Sequence, residues 1–234
     1  VTGMEFQLTA KGQLTNTRTA TVLFIGNEIY DNRSDPVFLI GFPRSGTTLL
    51  DTILRSHSCI EVVEEKPTTK VAQTFIYKNN HTDIVNHLLP PALLSGARKA
   101  YRAELNKHLS KVNSNSVCID KLPLNLVKAP LINHLYPKAK FIFIHRNPYE
   151  VFNSTQHLYR TTIKSQFLQD FGEQEINERV LLGYEKTMRA YLEQRHEIGK
   201  ENLIEISYAD LSEQPLNCIE NIYKRLKIDG FTEV

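Results

Sequence analysis

Five short runs of apolar and β-branched residues punctuate the chain: Val37-Phe-Leu-Ile-Gly41, Ile60-Glu-Val-Val63, Ser116-Val-Cys-Ile-Asp120, Lys140-Phe-Ile-Phe-Ile-His145 and Leu203-Ile-Glu-Ile-Ser207. Most are continuous rather than alternating. That pattern fits strands covered on both faces, which means parallel strands joined by helical crossovers. Between them the spacing turns helical. Pro91 suits the first turn of a helix that places Leu94, Ala97, Tyr101, Leu105 and Val112 on one face. Asn147-Pro148 reads as an N-cap followed by proline at the first helical position. Ile176, Val180, Tyr184, Met188 and Leu192 form an i, i+4 stripe that reads as core, with Gly199 as the stop.

These elements predict a three-layer α/β domain over residues 36–234, a P-loop-type fold with a mostly parallel, about five-stranded sheet. Segment 64–115, nearly all helical, reads as an insertion over one edge of that sheet. Residues 1–35, with Gly12, Asn16 and a strand pattern at Thr21–Ile25, remain an unplaced N-terminal segment. No repeat of fixed period and no low-complexity tract is present.

Composition narrows the function classes. In 234 residues, 28 Lys and Arg against 26 Asp and Glu leave a net charge of +2. That balance excludes a polybasic nucleic-acid or membrane-surface binder. No apolar stretch approaches the ~18 residues of a transmembrane helix. Cys59, Cys118 and Cys218 are odd in number and widely spaced, neither a metal cluster nor a disulfide framework. The compartment expected from this is the cytoplasm. Val1 is not a natural start, which leaves room upstream for a partner domain or for a membrane anchor, in which case the expectation is the Golgi lumen. Sequons at Asn32, Asn80 and Asn153 do not establish secretion.

The sharpest local feature is Gly41-Phe-Pro-Arg-Ser-Gly46-Thr-Thr48, directly after a buried strand and before a helix. Strand, glycine-framed loop and helix bind phosphate through converging backbone N–H groups and the positive end of the helix dipole. A nucleotide-triphosphatase loop reads G-x-x-x-x-G-K-[ST]. Here Thr47 stands in place of the lysine, and the cation has moved to Arg44. A carboxylate for Mg²⁺ is hard to find, Asp120 after Ile119 being the one weak candidate. The loop therefore suggests a phosphate-containing donor handled without a metal. Sulfuryl transfer fits, because the migrating group carries less negative charge than a γ-phosphoryl.

On these residues Val37–Asp51 resembles the 5′-phosphosulfate loop of the sulfotransferases that use 3′-phosphoadenosine 5′-phosphosulfate (PAPS). The run Pro43-Arg-Ser-Gly-Thr-Thr48 is particularly similar to the tyrosylprotein sulfotransferases and to bacterial relatives linked to tetratricopeptide repeats. The resemblance implies PAPS as donor, 3′-phosphoadenosine 5′-phosphate (PAP) as product and no metal. It places Arg44, Ser45, Gly46, Thr47 and Thr48 around the donor, with Arg44 also catalytic. Phe141 to Ser154 resembles the family's 3′-phosphate element, in which Arg146 ends a strand and Ser154 follows in the next helix. A planar guanidinium and a helix hydroxyl suit a terminal phosphate.

The same resemblance implies Glu65 as the base that takes the acceptor's proton, with adjacent Glu64 as secondary candidate. Two adjacent carboxylates do not share one pocket cheaply, so one of them is expected to turn outward or to pair with a cation, with Lys66 or Arg44 as the partners open to Glu64. Lys121, at the carboxyl end of a predicted parallel strand, is implied to stabilise the leaving phosphate. Tyr208-Ala-Asp-Leu211 resembles a Y-E-D-L element whose tyrosine touches the nucleotide, with Ala209 replacing the glutamate. Leu158 stands where the tyrosylprotein enzymes carry a further phosphate arginine, and Arg160 lies two residues on.

The expected partner is a hydroxyl-bearing acceptor, whether tyrosyl peptide, carbohydrate or small molecule, met on the 64–115 side. The full-length protein is expected to include a tetratricopeptide-repeat domain. Two other classes stay open: a PAP-binding module without turnover, and a metal-dependent P-loop kinase or nucleotide hydrolase.

Overall fold

A computed structural model of the chain describes residues 3–8, 14–20, 35–79, 89–109, 116–163, 172–229 and 231. Its centre is a five-stranded parallel sheet of β3 (Val37–Gly41), β4 (Ile60–Glu64), β5 (Val117–Lys121), β6 (Lys140–His145) and β7 (Leu203–Ser207), in the order β4-β5-β3-β6-β7. The five strands expected for the sheet are all present, each within one residue of its expected bounds. In the N-terminal segment β1 (Gly3–Leu8) and β2 (Leu14–Ala20) pair antiparallel. The pattern at Thr21–Ile25 and the stripe position Val112 lie outside the described residues.

Because successive side chains of a strand point to opposite faces, the apolar runs feed two cores. Phe38, Ile40, Phe141 and Phe143 face one way, onto α2 (Thr68–Asn79), α3 (Pro91–Asn106), α4 (Ala129–Leu135) and α6 (Glu173–Gln194). Val37, Leu39, Ile119, Ile142, Ile144 and Ile206 face the other, onto α1 (Thr47–Arg55) and α8 (Pro215–Leu226). Two helical layers thus sandwich the sheet, as expected. Among the described residues the remaining α-helices are α5 (Pro148–Leu158) and α7 (Tyr208–Glu213).

Two sequence expectations change. Segment 64–115 does not only cover an edge. Through α2 and α3 it supplies Ala72, Ile76, Ala97, Tyr101 and Leu105 to the core beneath central strand β3. Phe38 stacks on Phe141 and meets Tyr101 at a tilt, with centroids 5.6 and 5.9 Å away. A buried aromatic of this kind contributes roughly 1.5–3 kcal/mol. The α6 stripe also drifts. Ile176 and Val180 are buried, but Leu192 is 52 % exposed and Tyr191 enters the core instead. An i, i+4 row slides around a helix of 3.6 residues per turn, so over many turns the buried face passes to a neighbouring row. The helix then ends at Gln194, before Gly199. Asn147 caps α5 as predicted, accepting from the Tyr149 amide at 3.0 Å, with Pro148 first in the helix.

The order of strands sets where a ligand can sit. The chain leaves β3 toward β4 on one side and leaves β6 toward β7 on the other, so a crevice opens between their carboxyl ends. That reversal is where open α/β sheets bind ligands.

A carboxylate stands in the aromatic core. Asp120 is fully buried and accepts at Oδ2 from Thr68 Oγ1 (2.6 Å) and from the Tyr101 hydroxyl (2.8 Å). Burial pushes its carboxyl up to about 6, against hydrogen bonds from Thr68 and Tyr101 and the nearby Lys128 charge. In the unfolded chain the group ionises near 3.8, so as pH rises from about 4 to about 6 the folded state holds its proton longer and loses relative stability. Urea denaturation across that window should therefore show wild type losing stability relative to Asp120→Asn. Parallel curves would contradict the assignment.

Candidate active site

The loop after β3 turns through residues that hold unusual backbone angles. Arg44 has φ 72° and Gly46 φ 101°, and the Ser45 amide closes the turn on Phe42 O at 3.1 Å. α1 then starts at Thr47 with Gly46 at its cap and no side-chain cap. Its first-turn amides therefore face the crevice without a capping side chain, which is the arrangement that receives an anion. Ser45 and Thr47 point inward and are buried, so their backbone is what they offer a ligand. Thr48 and Arg44 are exposed. Glycine is required at 46 by contact as well as by angle: a Cβ there would lie 2.3 Å from Tyr208 Cδ2.

Across the crevice the end of β6 delivers Arg146. Its guanidinium lies 4.2 Å over the Tyr208 ring, donates from Nε to Glu150 at 2.6 Å and from Nη1 to Arg44 O at 3.4 Å. Arg44 Nε in turn donates to Ser154 Oγ at 2.9 Å. Tyr208 opens α7, whose cap Ser207 accepts from the Asp210 amide at 3.0 Å. Arg44, Gly46, Arg146, Ser154 and Tyr208, scattered over 165 positions of sequence, thus form one connected wall. Arg160 is not part of these contacts. It pairs with Glu173 at 2.7 Å, from a π-helical turn at Tyr159–Ile163.

Lys121 closes the other side. Alternation along β5 sends Asp120 into the aromatic core and Lys121 toward α1, so the weak Mg²⁺ carboxylate faces away from the loop. The Lys121 side chain is 1 % exposed. Parallel register sets Glu64 beside it on β4, and Nζ donates to Glu64 Oε1 at 2.7 Å, Glu65 Oε1 at 3.3 Å and Thr48 Oγ1 at 3.5 Å. Asp51 Oδ2 stands 4.0 Å away. The partner of Glu64 is therefore Lys121, with Arg55 behind it at 3.4 Å, and not Lys66 or Arg44. A lysine in strand register reaches Glu64 more directly than either loop cation. The Lys121 hydrogen bond and the Lys121 and Arg55 charges hold the Glu64 carboxyl below its usual range, against the cost of burial. Glu65 also has a left-handed backbone, φ 51°, with its amide donating to Lys121 O at 2.8 Å.

Sequence reasoning missed Asp51 and Arg55. Buried Asp51 receives Arg55 through Nε and Nη2 at 3.1 and 2.8 Å. The Asp51 hydrogen bond keeps the guanidinium above its usual range. The available signal was their spacing: Thr47, Asp51 and Arg55 recur every four residues on one face of the loop helix.

With this geometry in view, the likeness to known proteins is specific. Residues 36–233 match the Sulfotransferase family, and the chain belongs to that family. An uncharacterized protein of Aquifex aeolicus is 26% identical over 198 residues, 80% of this chain and 25% of its own length. The omega-hydroxy-beta-dihydromenaquinone-9 sulfotransferase Stf3 of Mycobacterium bovis is 28% identical over 111 residues, 47% of this chain and 29% of its own. The chain thus spans under a third of the length of these curated relatives. Mouse sulfotransferase SULT7A1, in a structure complexed with PAP, shares the fold. Its TM-score is 0.54 at 19% identity over 85% of this chain and 61% of that one.

Gly46→Ala is expected to lower stability by about 1–3 kcal/mol, because alanine must adopt a left-handed backbone and displace Tyr208. Urea denaturation checks the loss, and an unchanged midpoint would contradict the close packing.

Proposed function

We propose that this chain transfers a sulfuryl group from PAPS to an acceptor hydroxyl, in line and without a metal. The observation that carries the reading is Lys121, buried between the uncapped start of α1 and the Glu64–Glu65 pair. One cation there faces both the place where a phosphate would rest and the carboxylate that would take a proton. Membership of the sulfotransferase family supports the class of reaction, and the PAP held by the mouse protein of the same fold supports the nucleotide. The cradle also suits the donor: a glycine-framed turn, free first-turn amides and two arginines meet at one crevice.

PAPS supplies a sulfuryl group attached to a phosphate that can leave. Arg44 and the amides of residues 46–48 hold the phosphosulfate. Arg146 and Ser154 hold the 3′-phosphate, and Tyr208 packs beside them. Glu65 removes the acceptor's proton as its oxygen bonds to sulfur, while Lys121 meets the charge growing on the departing phosphate oxygen. Glu64 serves this less well as base, because it takes the shorter Lys121 bond, 2.7 Å against 3.3 Å at Glu65, and has Arg55 beside it as well, which stabilises its charged carboxylate and lowers its basicity. Glu65 is 57 % exposed at the mouth, where an acceptor can reach it. Segment 64–115 begins at this pair and forms the acceptor side.

Calorimetric titration tests the nucleotide site. PAP should bind with no added metal, and Arg146→Ala should weaken it about 10- to 100-fold through loss of charged hydrogen bonds. Magnesium-dependent ATP binding in place of PAP binding would overturn the reading in favour of a P-loop kinase or nucleotide hydrolase. PAP release from PAPS, followed with a tyrosyl peptide, an oligosaccharide and a primary alcohol as acceptors, tests turnover. Glu65→Ala should lower kcat about 10²–10⁴-fold and leave the affinity for PAP intact. A larger loss in Glu64→Ala would move the base to Glu64, and PAP binding without any turnover would make the chain a binding module.

A further inference from the structure

Among the buried carboxylates that the proposed chemistry does not use, Asp120 is the one set apart from Lys121. Asp120 lies on the opposite face of β5 from Lys121, in the aromatic core, with both hydrogen bonds gathered on Oδ2. Its second oxygen, Oδ1, is buried with no partner among the described residues. A core built for stability alone would replace such a group with an apolar one, since a half-satisfied buried carboxylate is costly. Burial accordingly pushes its carboxyl up.

What Asp120 holds is informative. Thr68 is the first residue of α2, three positions beyond Glu65, and is itself fully buried. The Glu65 amide is bonded to Lys121 O, the residue next to Asp120. The turn 65–68 is therefore fastened to β5 at two consecutive residues, by a backbone bond at its start and a side-chain bond at its end. Between those points Glu65 adopts a left-handed backbone that a non-glycine residue holds only when its surroundings enforce it. Tyr101, on α3, completes the fastening from below.

We propose that Asp120 is a positioning residue for Glu65: by binding Thr68 and Tyr101 it fixes the turn that presents Glu65 beside Lys121. The inference rests on the reading of Glu65 as base. Neither Asp120 nor Thr68 is in contact with the donor wall, so nucleotide affinity is expected to be independent of them.

The test uses Thr68→Val, which keeps the shape and removes the hydroxyl, Thr68→Ser, which keeps the hydroxyl, and Tyr101→Phe, which loses only its donor. Three quantities are read in each: kcat for PAP release from PAPS with the acceptor that wild type accepts, the Kd for PAP, and hydrogen exchange at the Glu65 amide in the free protein. The expected result is a kcat lowered about 10- to 100-fold in Thr68→Val, as for a misplaced catalytic group. PAP affinity should stay within about twofold, and Glu65 exchange should quicken about tenfold or more as the turn opens locally. Thr68→Ser should restore all three, and Tyr101→Phe should follow Thr68→Val more weakly. Unchanged exchange at Glu65 in both Thr68→Val and Tyr101→Phe overturns the proposal. So does faster exchange with undiminished kcat. If wild type binds PAP but turns over no acceptor, the sulfuryl-transfer reading fails, and exchange at Glu65 alone then decides whether Asp120 fixes the turn.

Discussion

Taking a lysine ammonium out of water costs several kcal/mol unless carboxylates and hydroxyls meet it at close range. The upper end of the sheet is arranged to meet Lys121. β4 supplies Glu64 in register and Glu65 in the following turn, while α1 supplies Thr48 and Asp51. Arg55 then neutralises what Asp51 and Glu64 leave over. The partners come from β4, the turn after it and α1, so the charge can be held only when β4, β5 and α1 are assembled. The start of α1 and the carboxylate pair are joined through this one side chain.

Backbone strain falls at the same place. Among the described residues three non-glycine positions have positive φ, and two of them, Arg44 and Glu65, flank the crevice. Such conformations persist where surrounding contacts over-determine them. Around Arg44 those contacts are the Phe42–Ser45 turn and the bonds to Ser154 and Arg146. Around Glu65 they are Lys121 O and the Asp120–Thr68 bond. The two faces of β5 thus divide the work. The face toward α1 carries the Lys121 ammonium with its carboxylates, and the face toward α2 and α3 carries the hydrogen bonds from Thr68 and Tyr101 to Asp120.

Much of this architecture was legible without coordinates, because its signals are local. Continuous apolar runs announce strands covered on both sides, Asn147-Pro148 announces a helix start, and Gly41 to Thr48 announces an anion loop. Each depends on chemistry within a few neighbouring residues. The sequence alone thereby determined the three-layer class, the strands and the loop with Arg44, while resemblance to the sulfotransferases marked Glu65, Lys121, Arg146, Ser154 and Tyr208 as candidates. Long-range partnership was decided only by tertiary structure. Strand register, not proximity in sequence, gave Glu64 to Lys121, and the alternation of β5 sent Asp120 away from the loop. Packing against the sheet moved the buried row of α6 onto Tyr191 and drew α2 and α3 beneath β3. The reason is physical: hydrophobic periodicity shows which side of an element is buried, while the residue met across that face depends on strand order and helix crossing, which no local stretch encodes.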